Sequence, residues 1–199
     1  MRHIMIIAAA LAAVGLTAGC SSSGGDGAAA TSTSPKPPLL SLISQTPAAP
    51  VPPRSPRNNI VKAIGESSGV GRSGEPLAVE WTVTSITVDP ACTHSGAQVP
   101  ENGHFVALAI DAQTSPQFED SALLGGFHPM GNWAIVDANG VTQPHASTTA
   151  AYRCQDLDFP PQLAPGSRYS FHLVFDSRSP HGVLTFVPSG RGGGWEWAF

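Results

Sequence analysis

The segment Tyr169-Ser170-Phe171-His172-Leu173-Val174-Phe175 puts Tyr169, Phe171, Leu173 and Phe175 at every second position, with Ser170 and His172 between them. Side chains alternate sides along an extended chain, so this period buries one face and wets the other. A helix would scatter the same residues around its circumference. The pattern recurs elsewhere in the chain. Leu77, Val79, Trp81 and Val83 hold odd parity, then Ile86 and Val88 hold even parity, and the slip predicts a β-bulge near Thr84-Ser85. Phe105 to Ile110 is a denser apolar run, as expected of a central strand covered on both sides. Val183 to Val187 and Trp195 to Phe199 complete the set, with Trp195, Trp197 and Phe199 on one face and Glu196 between them.

Turn chemistry separates these runs. Trp133-Ala134-Ile135-Val136 leads into Asp137-Ala138-Asn139-Gly140 and Val141, a hairpin signal because Asn and Gly both tolerate positive φ. Leu163-Ala164-Pro165-Gly166 reads as a turn entering the Tyr169 strand. Asn59 to Gly65 fits either an initial strand or a helical turn. Six or seven short strands, Gly/Pro turns and no amphipathic helix predict an all-β, antiparallel β-sandwich.

The ordered set Gly103-His104-Phe105-Val106-Ala107-Leu108-Ala109-Ile110-Asp111, Ala134-Ile135-Val136-Asp137-Ala138-Asn139-Gly140, Leu163-Ala164-Pro165-Gly166 and Leu173-Val174-Phe175-Asp176, preceded by Trp81-Thr82-Val83-Thr84-Ser85-Ile86, resembles a known bacterial group. That group is the immunoglobulin-like domain of unknown function common in actinobacterial and firmicute lipoproteins, similar in fold to a secreted mycobacterial immunoprotective antigen. The resemblance spans about residues 64–198 and implies an immunoglobulin-like sandwich. It implies no catalytic residues. Gln113-Thr114-Ser115 stands where the group usually carries an asparagine-led turn.

The N-terminal end is built differently. Arg2 and His3 precede an uncharged apolar run from Ile4 to Leu16, too short for a comfortable membrane span, which needs roughly 20 residues. The run suits a cleaved secretory signal. Leu16-Thr17-Ala18-Gly19-Cys20 resembles the bacterial lipoprotein processing box, with Thr17 departing from the usual aliphatic residue. The resemblance implies removal of residues 1–19, acylation of the Cys20 sulfur and attachment to the outer face of the cell membrane. Residues 20–58 read as a disordered tether, since 8 of the 38 residues from 21 to 58 are proline and most others are small or polar. Leu39 to Ile43 is its one apolar patch. The domain is then expected over residues 59–199.

Charge narrows the function. The net charge is -4, and residues 59–199 carry 6 basic against 13 acidic side chains. Nucleic acid is therefore not an expected partner. With Cys20 assigned to lipid, Cys92 and Cys154 are expected to pair, as cysteines of exported domains usually do. Gly69-Val70-Gly71-Arg72-Ser73-Gly74 matches G-x-G-x-x-G, but no helix is expected after it to aim amides at a pyrophosphate, so it reads as a flexible loop. His94 and His104, with Glu101 or Asp156, are the only candidates for a weak metal site. The histidines lack ligand spacing, and no metal or cofactor is expected. Glu119-Asp120 and Asp156-Leu157-Asp158 read as solvated acidic loops. No Gly-x-Ser-x-Gly elbow occurs, and a non-catalytic protein is expected.

The long apolar loop Pro116 to Asn132, with Phe118, Leu123, Leu124, Phe127 and Met130, has two readings. Its side chains fold back to cap the sandwich, or they meet an extracytoplasmic protein or envelope ligand. The leading expectation is a membrane-anchored interaction module. The alternatives are a purely structural envelope protein and, less favoured, a metal-dependent hydrolase.

Overall fold

The computed structural model describes residues 51–199, apart from 73, 119–125, 144, 157 and 189–191. Cys20, Leu123, Leu124, Glu119, Asp120 and the whole tether up to residue 50 lie outside the described residues.

The regular secondary structure of the described residues is almost entirely β. Its strands are β1 (Ile60–Val61), β2 (Ser67–Val70), β3 (Val79–Val88), β4 (His104–Thr114), β5 (Trp133–Val136), β6 (Thr142–Gln143), β7 (Arg168–Ser177), β8 (Val183–Phe186) and β9 (Trp195–Ala198). One four-residue helix, α1 (Thr149–Tyr152), interrupts them. The strands form a four-stranded sheet in the order β2-β3-β4-β7 and a five-stranded sheet in the order β1-β9-β8-β5-β6. All pairings are antiparallel except β1 with β9.

The inner faces of both sheets feed one core. Val79, Trp81, Val83, Leu108, Ile110, Phe171, Leu173 and Phe175 come from the first sheet, and Trp133, Ile135, Leu184, Phe186, Trp195 and Trp197 from the second. Register sets Trp133, Phe186 and Trp195 in one inward row, and Ile135, Leu184 and Trp197 in the next. Trp81 meets this wall edge-on, its ring 4.6 Å from Trp195 and 5.6 Å from Phe186. Such edge-to-face pairs add about 0.5–1.5 kcal/mol beyond burial.

Several expectations hold. The β3–β4 register breaks between Val83 and Ser85, so Thr84 is the bulged residue. Its hydroxyl donates to Ala109 O at 3.2 Å, across the irregularity. The first half of β4 is covered on both faces: Val106, Leu108 and Ile110 look into the main core, while Phe105 and Ala107 join a second apolar cluster outside it. Cys92 and Cys154 form a disulfide with Cα atoms 4.4 Å apart.

Other details differ. The β5–β6 hairpin exists, but Asn139 does not take positive φ. Only Gly140 does, at 81°, while Asp137 O accepts from Gly140 N at 3.0 Å and Asp137 Oδ1 accepts from Asn139 N and Val141 N. The aspartate, not the asparagine, organises the turn. Leu77 does not extend the odd-parity face, because β3 starts at Val79. Its side chain lies over Gly69 of β2 and Gly71 just after it: a Cβ built on Gly69 would sit 2.5 Å from Leu77 Cδ1. The stretch 69–74 is accordingly not a free loop, since Gly69 and Val70 end β2. The segment after Gly74 enters β3 without an intervening helix, so no pyrophosphate cradle is built.

Within Asn59 to Gly65 only Ile60–Val61 is strand, and the structured chain begins before Asn59. Ser55 Oγ, Arg57 Nε and Nη2, and Asn59 Nδ2 all donate to the carboxylate of Glu196, at 2.9, 3.0, 2.8 and 3.2 Å. Glu196, which alternation aims away from the core, is buried there nonetheless.

Candidate functional site

The outer face of the four-stranded sheet is divided in two. Where β3 and β7 start and β4 ends, pairing of Glu80 with Gln113 and of Gln113 with Arg168 makes one row of outward side chains. Thr82, Asp111 and Ser170 make the next. These two rows line an open groove of about 600 Å³. Neighbouring strands lie about 4.8 Å apart, so the groove runs across the strands with a polar group at each step. Trp81, Ala112 and Tyr169 line it only from beneath. The Trp81 and Ala112 side chains are buried on the core side, and Tyr169 packs against that core.

Glu80 is the fixed point of the wall. Ser67 Oγ donates to Glu80 Oε1 and Gln113 Nε2 to Glu80 Oε2 at 2.7 Å. The Ser67 hydroxyl foremost, and the Gln113 amide after it, hold the Glu80 carboxyl below its ordinary range despite some desolvation. Asp111 and Arg168, both exposed, sit one row and one strand apart. Among the described residues neither has an ion pair or a side-chain hydrogen bond. The groove thus offers an unspent acceptor and an unspent donor side by side.

The other half of the same face is covered. The chain leaves β3 at Asp89, whose φ of 50° turns it outward, and crosses to Cys92. The disulfide fastens this crossing to Cys154, just past α1, and Thr93 N donates to Cys154 O at 2.8 Å. Ala150, Ala151 and Cys154 pack on Phe105, Ala107 and Val174. Asp176, fully buried at the end of β7, locks both arms of this cover. Its carboxylate accepts from Glu101 N at 2.7 Å, Asn102 N at 2.8 Å and the Thr148 hydroxyl at 2.8 Å. Thr148 Oγ1 in turn accepts from Ala151 N at 3.1 Å, capping α1.

Two histidine–aspartate pairs mark the rim of the cover. His104 Nδ1 is 2.9 Å from Asp89 Oδ2, and His172 Nδ1 is 2.9 Å from Asp158 Oδ2. Asp158 Oδ1 also accepts from His172 N at 2.6 Å. A carboxylate orienting an imidazole is one half of a nucleophilic site. The other half would be a hydroxyl or thiol bonded to Nε2, and no such bond exists among the described residues.

His94 Nδ1 accepts from Gly96 N at 2.9 Å, while His104 Nδ1 pairs with Asp89 Oδ2. Among the described residues no three His, Cys, Asp or Glu side chains are placed to hold a metal ion. Phe118 and Phe127 are core residues, 5% and 0% exposed, and so are unavailable as surface contacts. The Phe127 ring stands 5.2 Å from Phe171, 5.5 Å from Phe186 and 5.7 Å from Trp81, closing the sandwich. Met130, 70% exposed, is the one described loop candidate facing solvent. Conversely, alternation alone does not reveal the groove, the Asp176 hub or the Glu196 cluster. Their signal was present as the polar residues between the apolar ones, but only strand register says which of them become neighbours.

No family model, curated protein or solved structure gave a match to the chain. No helix among the described residues is long and apolar enough to cross a membrane.

Proposed function

We propose that the protein is a lipid-anchored extracytoplasmic binding protein. Residues 1–19 are removed as a signal peptide, Cys20 carries the lipid, and the segment from Cys20 to about residue 53 is the tether. The β-sandwich, immunoglobulin-like in kind, is a non-catalytic module that meets an envelope or protein ligand through the open half of the outer sheet face. The observation that carries this reading is the Cys92–Cys154 disulfide. Structural disulfides persist in oxidising compartments outside the cytoplasm. With that pair formed, Cys20 is the remaining cysteine of the chain, and it stands directly after the small residues of an export signal. Two or more acyl chains give a stable anchor where a single one does not.

Intact-mass measurement on the full chain, extracted from membranes with detergent and left unreduced, tests the reading. The expected species starts at a diacylated Cys20 with the other two cysteines joined. An unprocessed chain in the cytosol with three free thiols overturns it.

A further inference from the structure

We infer that the edge of the sandwich where the chain enters it is a membrane-contact face, seated on anionic lipid headgroups by Val51, Pro53, Val61 and Ile64. The inference rests on the lipid-anchor reading, because the acyl chains of Cys20 are what bring this edge to a bilayer. Among the described residues seven large apolar side chains are exposed, and three of them, Val51, Val61 and Ile64, fall in this one short stretch. Single exposed apolar residues are ordinary on a protein surface, whereas a contiguous set marks an interaction site. Backbone pairing makes this set contiguous. Val61 N donates to Pro53 O at 3.0 Å and Arg54 bridges antiparallel to Ile60, so Pro53 lies opposite Val61. Alternation along the two arms then puts Val51 and Ala63, the next opposed pair, on the same side. All four are exposed, while Ile60, aimed the other way, packs against the core.

Charge and chain length select a bilayer as the occupant. Residues 51–65 carry three cations, Arg54, Arg57 and Lys62, and no acid, whereas residues 66–199 carry 5 basic against 13 acidic side chains. Near a negatively charged surface that asymmetry turns the entry edge inward and the acidic remainder away. Arg57 and Lys62 are tied to Glu196 and Glu66. Arg54 is exposed, and among the described residues it has no acidic partner; its guanidinium donates only to Asn58, at 2.7 Å to the carbonyl. It is left to meet a lipid phosphate. Apolar side chains next to basic ones are the composition that seats a protein at the headgroup boundary. Chain length brings the two together: 30 residues, 21 to 50, separate Cys20 from Val51. A coil of that length spans about 30 Å, so the entry edge is the part of the sandwich kept nearest the lipid. So few side chains cannot hold the protein at a membrane without the anchor. They set its orientation, end-on.

The test uses the full diacylated chain, its Cys92–Cys154 bridge intact, in vesicles of phosphatidylcholine and phosphatidylglycerol. A single added cysteine carries an environment-sensitive nitrobenzoxadiazole dye, as Val61→Cys or, for the control, Val141→Cys. Val141 is also exposed and precedes β6, the opposite edge of the five-stranded sheet from β1. Lipids bearing a doxyl quencher near the headgroup should quench the dye at position 61 about threefold or more over that at 141. Adding Val51→Asp and Ile64→Asp should abolish the difference with unchanged melting temperature. Equal quenching at the two positions, or quenching unmoved by the aspartates, overturns the inference. So does a dye response at 61 that needs no doxyl lipid and rises with protein density at fixed lipid, which marks a second copy on this face. Flotation with the vesicles is read on the same sample. A chain that floats but is not quenched at 61 sinks the inference and leaves the anchoring reading standing, whereas a chain that does not float sinks both.

Discussion

Asp176 and Glu80 are both carboxylates with good hydrogen bonds, yet they should behave differently. Asp176 is fully buried and accepts three bonds, from Glu101 N, Asn102 N and Thr148 Oγ1. Replacing it with alanine leaves three donors without their acceptor inside the protein. We expect Asp176→Ala to cost about 3 kcal/mol or more, read from urea denaturation, with Asp176→Asn costing less because one oxygen survives. Glu80 lies near the surface, so its contribution is screened. Its pKa is lowered in the folded state, so the stability it adds is present above the ordinary carboxylate value and lost as pH falls through the folded one. Wild type should exceed Glu80→Gln by about 0.5 kcal/mol at pH 7. Melting curves taken down to pH 3 should converge, and a constant gap would mean the carboxylate charge is not the cause.

At the scale of elements, the disulfide and Asp176 do one job together: they press a cover made of loop and one helical turn onto half of a sheet. The bridge joins residues 62 apart in sequence, and closing a loop of that size stabilises by about 4 kcal/mol in the chain-entropy model. Reduction should therefore lower stability by several kcal/mol. Amide exchange should quicken first in the residues flanking Cys92 and Cys154, before β4 and β7 open. Simultaneous loss of protection in both sheets would show that the cover is not a separable unit. A second prediction belongs to the five-stranded sheet. Gly194 donates to Asn59 Oδ1, its carbonyl accepts from Ile60 N, and a Cβ there would collide with Phe186 O. Gly194→Ala should destabilise by more than about 2 kcal/mol, and an unaltered melting temperature would show that this approach is not tight.

These elements also show what the sequence makes legible. Period-two alternation announced β3, β7 and β9, and a parity slip located the bulge to a residue, because burial of one face leaves a direct trace in side-chain order. Leu77 went astray because its neighbours in space are glycines eight and six positions earlier, which periodicity does not record. Glu196 went astray for a related reason. Alternation points it outward correctly, but the segment covering it, Ser55 to Asn59, has a linker's composition. The groove was illegible for want of register: Asp111, Ser170 and Thr82 become a row only once three strands are aligned.

At the scale of the whole molecule, net charge and compartment set the terms. Six basic against 13 acidic side chains from residue 59 onward give the sandwich an excess of negative charge, which disfavours lying flat on anionic lipid. Co-sedimentation of a variant lacking residues 1–19 and carrying Cys20→Ser with anionic vesicles should show negligible binding at physiological salt. Strong sedimentation would mean that the folded part itself, and not an acyl chain, holds the protein at the membrane.

The knot around Glu196 has a mechanical consequence. Pro53 and Arg54 lie against β1, with Val61 N donating to Pro53 O at 3.0 Å and Arg54 bridging Ile60, and the chain then fastens to the Glu196 carboxylate through Ser55 and Arg57 before the short parallel pairing of β1 with β9. Any pull exerted along the upstream chain therefore loads the Pro53 and Arg54 contacts and then the Arg57 guanidinium and its partners before it can peel β1 from β9. Force applied from the N-terminal side should unzip an Arg57→Ala protein at lower tension than wild type, while the same force applied across the β5–β6 turn should find the two equally strong.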